Sequence, residues 1–325
     1  TDYNLQTTNL TWGSGGQAGT NANITAATIT LTAAGNISKV YDASANATVA
    51  QNNYQITGLV SGDTAAALTN TGATYNSAHV LDASNVSASG IAIANVTGNH
   101  SSRAGDYVLS TTNLTWGSGG QAGTNANITA ANLTLASTGN VTKTYDGTAN
   151  ATVGLANLSI TGLVSGDSLT LSNLTTAAFN STHVANASNV TVGNLALATV
   201  AGNHTSALSD YSLQTTNLTW NGSTITAANL TLASTGNVTK TYDGTANATV
   251  GLANLSITGL VSGDSLTLSN LTTAAFNSTH VANASNVTVG NLALATVAGN
   301  HTSALSDYSL QTTNLTWNGS TITAA

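Results

Sequence analysis

The chain of 325 residues has no Cys, Met or Pro, is only 5% charged, and carries eleven Asp against four Lys and Arg for a net charge of −7. That composition excludes disulfides and thiolate metal sites and leaves no basic face for phosphates, so nucleic acid is not an expected partner. There is no run of about 18 apolar residues to make a membrane-spanning helix. Thr, Asn, Ser, Ala and Gly fill the chain instead and favour strands and turns over helices.

Residues 1–26 read as the tail of a repeat plus linker, because Asp2-Tyr3 through Trp12 parallels Asp106-Tyr107 through Trp116. Residues 27–130 are a diverged copy. Residues 131–227 are a second copy, and 228–325 a third that is identical to it through position 324, a period of 97. Tyr41 and Tyr145 are offset by 104, because the loop after Trp116 is seven residues longer than that after Trp220. The chain is expected to continue in both directions, since it opens inside one repeat and closes on the first residue of another.

Within the second copy, period-2 alternation predicts strands at Asn132–Leu135, Ser159–Leu163, Ser168–Leu171, Asn189–Val192 and Tyr211–Trp220. Leu133, Leu135, Ile160, Leu169, Leu171, Val190, Val192, Leu218 and Trp220 fall on one face of them. Asp146-Gly147 and Ser165-Gly166-Asp167 predict turns, and Asn221-Gly222 predicts a hairpin between Leu218–Trp220 and Thr224–Thr226. A period of this length suits all-β, Ig-like β-sandwich modules in a linear array. A β-solenoid is the alternative, although it calls for a shorter inner period.

The segments Asn140-Val141-Thr142-Lys143-Thr144-Tyr145-Asp146-Gly147-Thr148 and Ile160-Thr161-Gly162-Leu163-Val164-Ser165-Gly166-Asp167 resemble the YDG repeat of very large bacterial surface exoproteins. Asp210-Tyr211-Ser212-Leu213 is similar to that family's closing strand. The resemblance implies a stalk or fibre portion of a filamentous-haemagglutinin-like adhesin at the cell surface. It marks Tyr145, Asp146, Gly147, Ser165, Gly166 and Asp167 as the repeat-motif turn residues. The first copy departs from the motif with Ala43 in place of Gly, and the linker Ile225-Thr226-Ala227-Ala228 lacks the family's frequent Pro.

Of the twelve Asn in the second copy, eleven stand in Asn-x-Ser/Thr sequons: Asn132, Asn140, Asn150, Asn157, Asn173, Asn180, Asn186, Asn189, Asn203, Asn217 and Asn221. They are candidate glycosylation sites. The same spacing also arises from strand patterning, in which an Asn and the residue two beyond share the solvent face. Both readings stand at this stage.

No residue carries a catalytic signature, so an enzyme is not expected. His79, His100, His183, His204, His280 and His301 lack metal spacing and read as structural or surface histidines. No cofactor is expected; Asp146, Asp167 and Asp210 form only a sparse candidate set for Ca²⁺. Tyr145, Phe179, Tyr211 and Trp220 read as core and Lys143 as solvated. The expectation is an extracellular structural segment, glycosylated and assembled with copies of itself through β-strand contacts. The alternative is a set of adhesin repeats that bind surface glycans or receptors directly.

Overall fold

The computed structural model describes residues 9–16, 19 and 21–325. The match of Asp2-Tyr3 to Asp106-Tyr107 lies outside the described residues, and the described part of 9–26 holds no strand. The described chain forms two compact units. The first holds residues up to Asn132 with Leu163–Ser168 and Val200–Ser212; the second holds Leu133–Gly162, Leu169–Thr199 and Leu213–Ala325.

Alternation of apolar and hydroxyl-bearing side chains turns one face of each strand inward. In the first copy the strands are β1 (Ala27–Ala33), β2 (Asn36–Val40), β3 (Tyr54–Thr57), β4 (Asp63–Thr69), β5 (Gly72–Tyr75), β6 (Asn85–Ser89), β7 (Ala92–Gly98), β8 (Tyr107–Leu109), β9 (Leu114–Gly117) and β10 (Asn125–Thr129). They make small sheets ordered β3-β1-β8, β10-β2, β4-β7 and β5-β6-β9, none of which closes into a barrel. Two pairs are parallel: β1 with β8, Ala27 opposite Tyr107, and β2 with β10, Lys39 opposite Ile128. Parallel neighbours need long connections, and here nearly the whole copy serves as the connection.

Ile29, Val86 and Trp116 are all 0% exposed; Ile29 packs with Ala66 and Tyr107, and Val86 lies opposite Trp116 across β6 and β9. The Trp116 indole reaches from β9 to the opposite layer, where its Nε1 donates to the carbonyls of Ala34 and Asn53 at 3.1 Å. Tyr54 on β3 meets the same ring edge-on at 5.8 Å. A buried indole with its N–H satisfied stabilises by about 3–5 kcal/mol relative to alanine.

The second copy has β11 (Ala131–Ser137), β12 (Thr142–Thr144), β13 (Leu158–Thr161), β14 (Asp167–Ser172), β15 (Ala178–Phe179), β16 (Asn189–Val192), β17 (Ala196–Gly202), β18 (Tyr211–Leu213), β19 (Leu218–Asn221) and β20 (Thr224–Thr226). In the second unit, β11 pairs with β13 (Leu135 opposite Ile160), and β16 lies between β15 and β19 (Val190 opposite Trp220). The third copy repeats the set from Ala228–Ser234 to Thr321–Thr323. The sheets of the first and third copies each draw strands from one copy alone.

The expected inward face is correct in direction: Leu133, Leu135, Leu169, Val190, Val192, Leu218 and Trp220 are buried, and Ile160 and Leu171 half-buried. Two local expectations fail. Tyr211–Trp220 is not one strand but β18 and β19, separated at 214–217. Asn221-Gly222 does not make a hairpin, because β19 pairs with β16 whereas β20 runs parallel to β12, Thr224 opposite Thr142. Gly222 does take the positive φ of a turn, +77°. Its N–H donates to Ser188 O at 2.9 Å and that of Thr224 to Val141 O at 3.0 Å, so the chain crosses between sheets. Ser223, wholly buried, seals the crossing by donating to Trp220 O and accepting from the Val141 N–H.

Candidate docking interface between copies

The Tyr-Asp-Gly turn begins where β12 ends. The Tyr145 N–H donates to Thr226 O at 2.8 Å, which carries the ladder with β20 one residue further and fixes the tyrosine. Asp146 Oδ1 then accepts from Lys143 Nζ at 2.6 Å, from the Thr148 N–H at 2.9 Å and from Thr148 Oγ1 at 2.8 Å. The ammonium also reaches Thr148 O and Asn150 O, and the Lys143 side chain is only 16% exposed. The expectation of a solvated Lys143 is therefore corrected: it is the hub of the turn, since a loop bent over the ammonium supplies more acceptors than its spacing suggests. Burial pushes the Asp146 carboxyl up, but the Lys143 and Thr148 donors outweigh it and hold it below the ordinary value.

Gly147 sits at φ +78°, where a Cβ is disfavoured. Ala43, its counterpart in the first copy, takes φ +63° all the same. The third motif position therefore demands a left-handed backbone, and Ala43 meets that demand at a cost in strain.

The second turn, Ser165-Gly166-Asp167, closes with the Asp167 N–H on Val164 O at 3.0 Å. In the first unit Asp167 Oδ2 accepts from Tyr211 Oη and from Ser206 Oγ, both at 2.6 Å, and His204 Nδ1 stands 3.1 Å from Oδ1. Burial raises this carboxyl, whereas the three donors more than offset it and leave it below the ordinary value. Burial and the adjacent Asp167 push the Tyr211 phenol up, keeping it a donor.

Onto this cluster the first copy docks. The Tyr41 hydroxyl donates to Ser206 Oγ at 2.6 Å, and its ring meets that of Tyr211 edge-on at 5.4 Å. His79 Nδ1 lies 2.8 Å from Asp210 Oδ2, and the Val80 N–H donates to Asp210 Oδ1 at 2.8 Å. The Ala207 N–H supplies a third donor to Asp210, which is 0% exposed. A buried carboxylate needs this number of donors to offset lost hydration.

In the second unit the arrangement recurs one copy on. Tyr145 meets Ser303 and Tyr308, and His183 and the Val184 N–H meet Asp307 at 2.8 Å each. A single buried apolar cluster there runs from Leu135 and Tyr145 to Leu230, Leu266 and Tyr308. Contact between copies thus uses loop side chains and apolar packing.

A model of the YDG domain matches residues 15–114, 122–218 and 226–315. The chain belongs to the YDG domain family. The motif's logic in these YDG copies follows from the geometry: tyrosine docks on the next copy, aspartate gathers the turn's donors, and glycine supplies the backbone angle. The comparisons with curated proteins and with solved structures returned no match.

Of the aromatics read as core, Tyr145, Phe179, Tyr211 and Trp220 are all at most 5% exposed, and both tyrosines lie at copy junctions. His183, read only as structural or surface, is a docking residue. Ser206 was missed, and its only sequence signal is its place two residues after the recurring His204. Asp146, Asp167 and Asp210 each face protein donors, and no group of three or more His, Cys, Asp or Glu among the described residues is placed to hold a metal.

The sequon asparagines of the YDG copy divide by structure. Asn132, Asn140, Asn150, Asn186, Asn203, Asn217 and Asn221 are exposed. Asn189 on β16 is half-buried, and so is Asn157, whose Oδ1 accepts the Gly154 N–H at 3.1 Å. Asn173 sits at φ +64° and donates to Asn194 O at 2.7 Å. Asn180 is exposed but fully used: Nδ2 donates to Asn186 O and Ser188 Oγ, and Oδ1 accepts the N–H groups of Ser188 and Asn189.

Proposed function

We propose that these YDG repeats are a structural segment of an extracellular bacterial fibre, stalk or sheath, with successive copies locked to one another and the surface N-glycosylated. The observation that carries this reading is the repeated junction itself. A wholly buried aspartate, Asp210 or Asp307, is satisfied by a histidine and a backbone N–H of the preceding copy. Such a joint resists relative motion of neighbours, because opening it would break the paired hydrogen bonds to the carboxylate and expose the tyrosine rings and apolar side chains packed around it. A load-bearing or spacing element needs that property, whereas a binding tip does not.

In this reading the chain has no catalytic role and no cofactor. The alternative of a glycan or receptor grip has less support, since the rings of Tyr145, Phe179, Tyr211 and Trp220 are buried and present no stacking face. Exposed Asn140, Asn150, Asn186, Asn203 and Asn221 are the sequons best placed to carry glycans. The test is labelling of intact source cells with an antibody against the repeat, followed by electron microscopy. Labelled surface filaments are the expected result, and label confined to the cell interior would overturn the proposal.

A further inference from the structure

In a chain under tension, each copy is pulled by its first segment toward the N-terminus and by its last strand toward the C-terminus. What resists depends on where those two pulling points fall in the ladder that joins them. In a parallel pair they lie at opposite ends, so the strands must slide and their hydrogen bonds carry the load together. In an antiparallel pair they lie at the same end, and the bonds open one by one.

The YDG copies join their first and last segments in parallel. β12 runs beside β20 with Thr142 opposite Thr224 and Thr144 opposite Thr226, which puts the N-terminal end of β12 and the C-terminal end of β20 at opposite ends of the ladder. Further bonds extend it: the Thr224 N–H donates to Val141 O at 3.0 Å, the Tyr145 N–H to Thr226 O at 2.8 Å, and Thr226 Oγ1 to Lys143 O at 3.2 Å. Ile225, 2% exposed, holds β20 to the core. In the first copy β2 and β10 repeat the arrangement, with the Tyr41 N–H on Thr129 O at 2.8 Å and Thr129 Oγ1 on Lys39 O at 3.2 Å.

A second parallel pair lies behind the first. β1 runs beside β8 with Ala27 opposite Tyr107 and Ile29 opposite Leu109. In the third copy the strand Ala228–Ser234 runs parallel to Tyr308–Leu310, Ala228 opposite Tyr308, and antiparallel to Leu255–Thr258 on its other side. Ala227 alone separates β20 from that strand, so tension leaving the second copy passes to the third without a slack linker.

We propose that each YDG copy is a mechanical clamp, in which the β12–β20 pair and its counterparts carry tension along the chain in shear. The inference rests on the fibre reading and names how the copies of that fibre withstand pulling.

Optical-trap stretching of the full 325-residue chain tests this, since the chain has no cysteine and handles can be attached to introduced ones. Pulled from its two ends, the chain is expected to unfold in steps, an identical copy of 97 residues releasing up to about 320–350 Å. Handles on Thr144→Cys and Thr226→Cys, exposed residues opposite each other, instead pull β12 and β20 straight apart. The second copy is then expected to open at a severalfold lower force, because forced unfolding follows the barrier along the pulled direction. Thr224→Pro with Thr321→Pro removes the N–H groups that donate to Val141 O and Val238 O, and should lower the force of two steps while leaving that of the first copy unchanged. Equal forces in the two pulling directions overturn the proposal, whether or not the proline variant folds. The fibre reading is judged separately, by the surface labelling of source cells: labelled filaments together with equal forces would sink the clamp alone.

Discussion

His79 Nδ1 and Asp210 Oδ2 lie 2.8 Å apart across 131 residues of chain, and His183 and Asp307 repeat the contact at the same distance across 124. The difference in span is the seven-residue longer loop after Trp116. That loop lies between β9 and β10, and the junction is unchanged by it. The contact is therefore a property of the copies and not of the linker length.

Removing the histidine leaves a buried carboxylate short of a donor. His183→Ala is expected to destabilise the chain by about 1–3 kcal/mol, read as a lowered urea midpoint. His280→Ala, at the exposed counterpart, should leave the midpoint within about 0.5 kcal/mol. Equal effects at the two positions would show that the side chain acts within its own copy.

Stability should fall in acid. Asp167 and Asp264 are held below the ordinary carboxyl value because their Ser, Tyr and His donors outweigh burial. A depressed folded-state value contributes stability that is complete above the unfolded value, about pH 3.9. It is lost as pH falls through the folded value. Thermal unfolding followed from pH 7 to pH 2 should show Tm dropping below about pH 4, and Asp264→Asn should flatten that drop. The exposed turn residue Asp243, brought down to about 2 by Lys240 and Thr245, titrates at the lower end of the same window.

Ala43 and Gly147 should respond in opposite senses. Ala43→Gly relieves a left-handed backbone and is expected to stabilise by about 0.5–1 kcal/mol. Gly147→Ala imposes that strain, and its Cβ would also stand 2.6 Å from His301 Cδ2. At Gly244, identical in sequence context, a Cβ meets nothing within 4 Å. Gly147→Ala should therefore cost more than Gly244→Ala in paired denaturation curves, and equal costs would contradict the placement of His301.

Glycopeptide mass spectrometry on material from the native source should find hexose-type mass at Asn140, Asn150, Asn186, Asn203 and Asn221. It should not find it at Asn180, since a glycan replaces one amide hydrogen and Nδ2 already uses both. Modification of Asn180 at the same level as Asn140 would show that the turn it bridges is not formed when the glycan is added.

The sequence alone determined the copies, by recurrence over a period of 97 residues, and the all-β class, the buried face of most strands and the two turns, because these last three are written in residues a few positions apart. Alternation of apolar and hydroxyl-bearing side chains orients Leu133 and Val190 inward whatever their pairing partners are. The tertiary structure decided what long-range geometry controls: that Thr224–Thr226 turns away from its near neighbour β19 to run beside β12. It also decided that His79 and His183 serve the following copy. Those outcomes depend on which groups meet across some 80 to 130 residues, and no local pattern records the docking of Tyr41 on Ser206 or of His183 on Asp307, since their chemistry becomes specific only when the buried carboxylate must be satisfied.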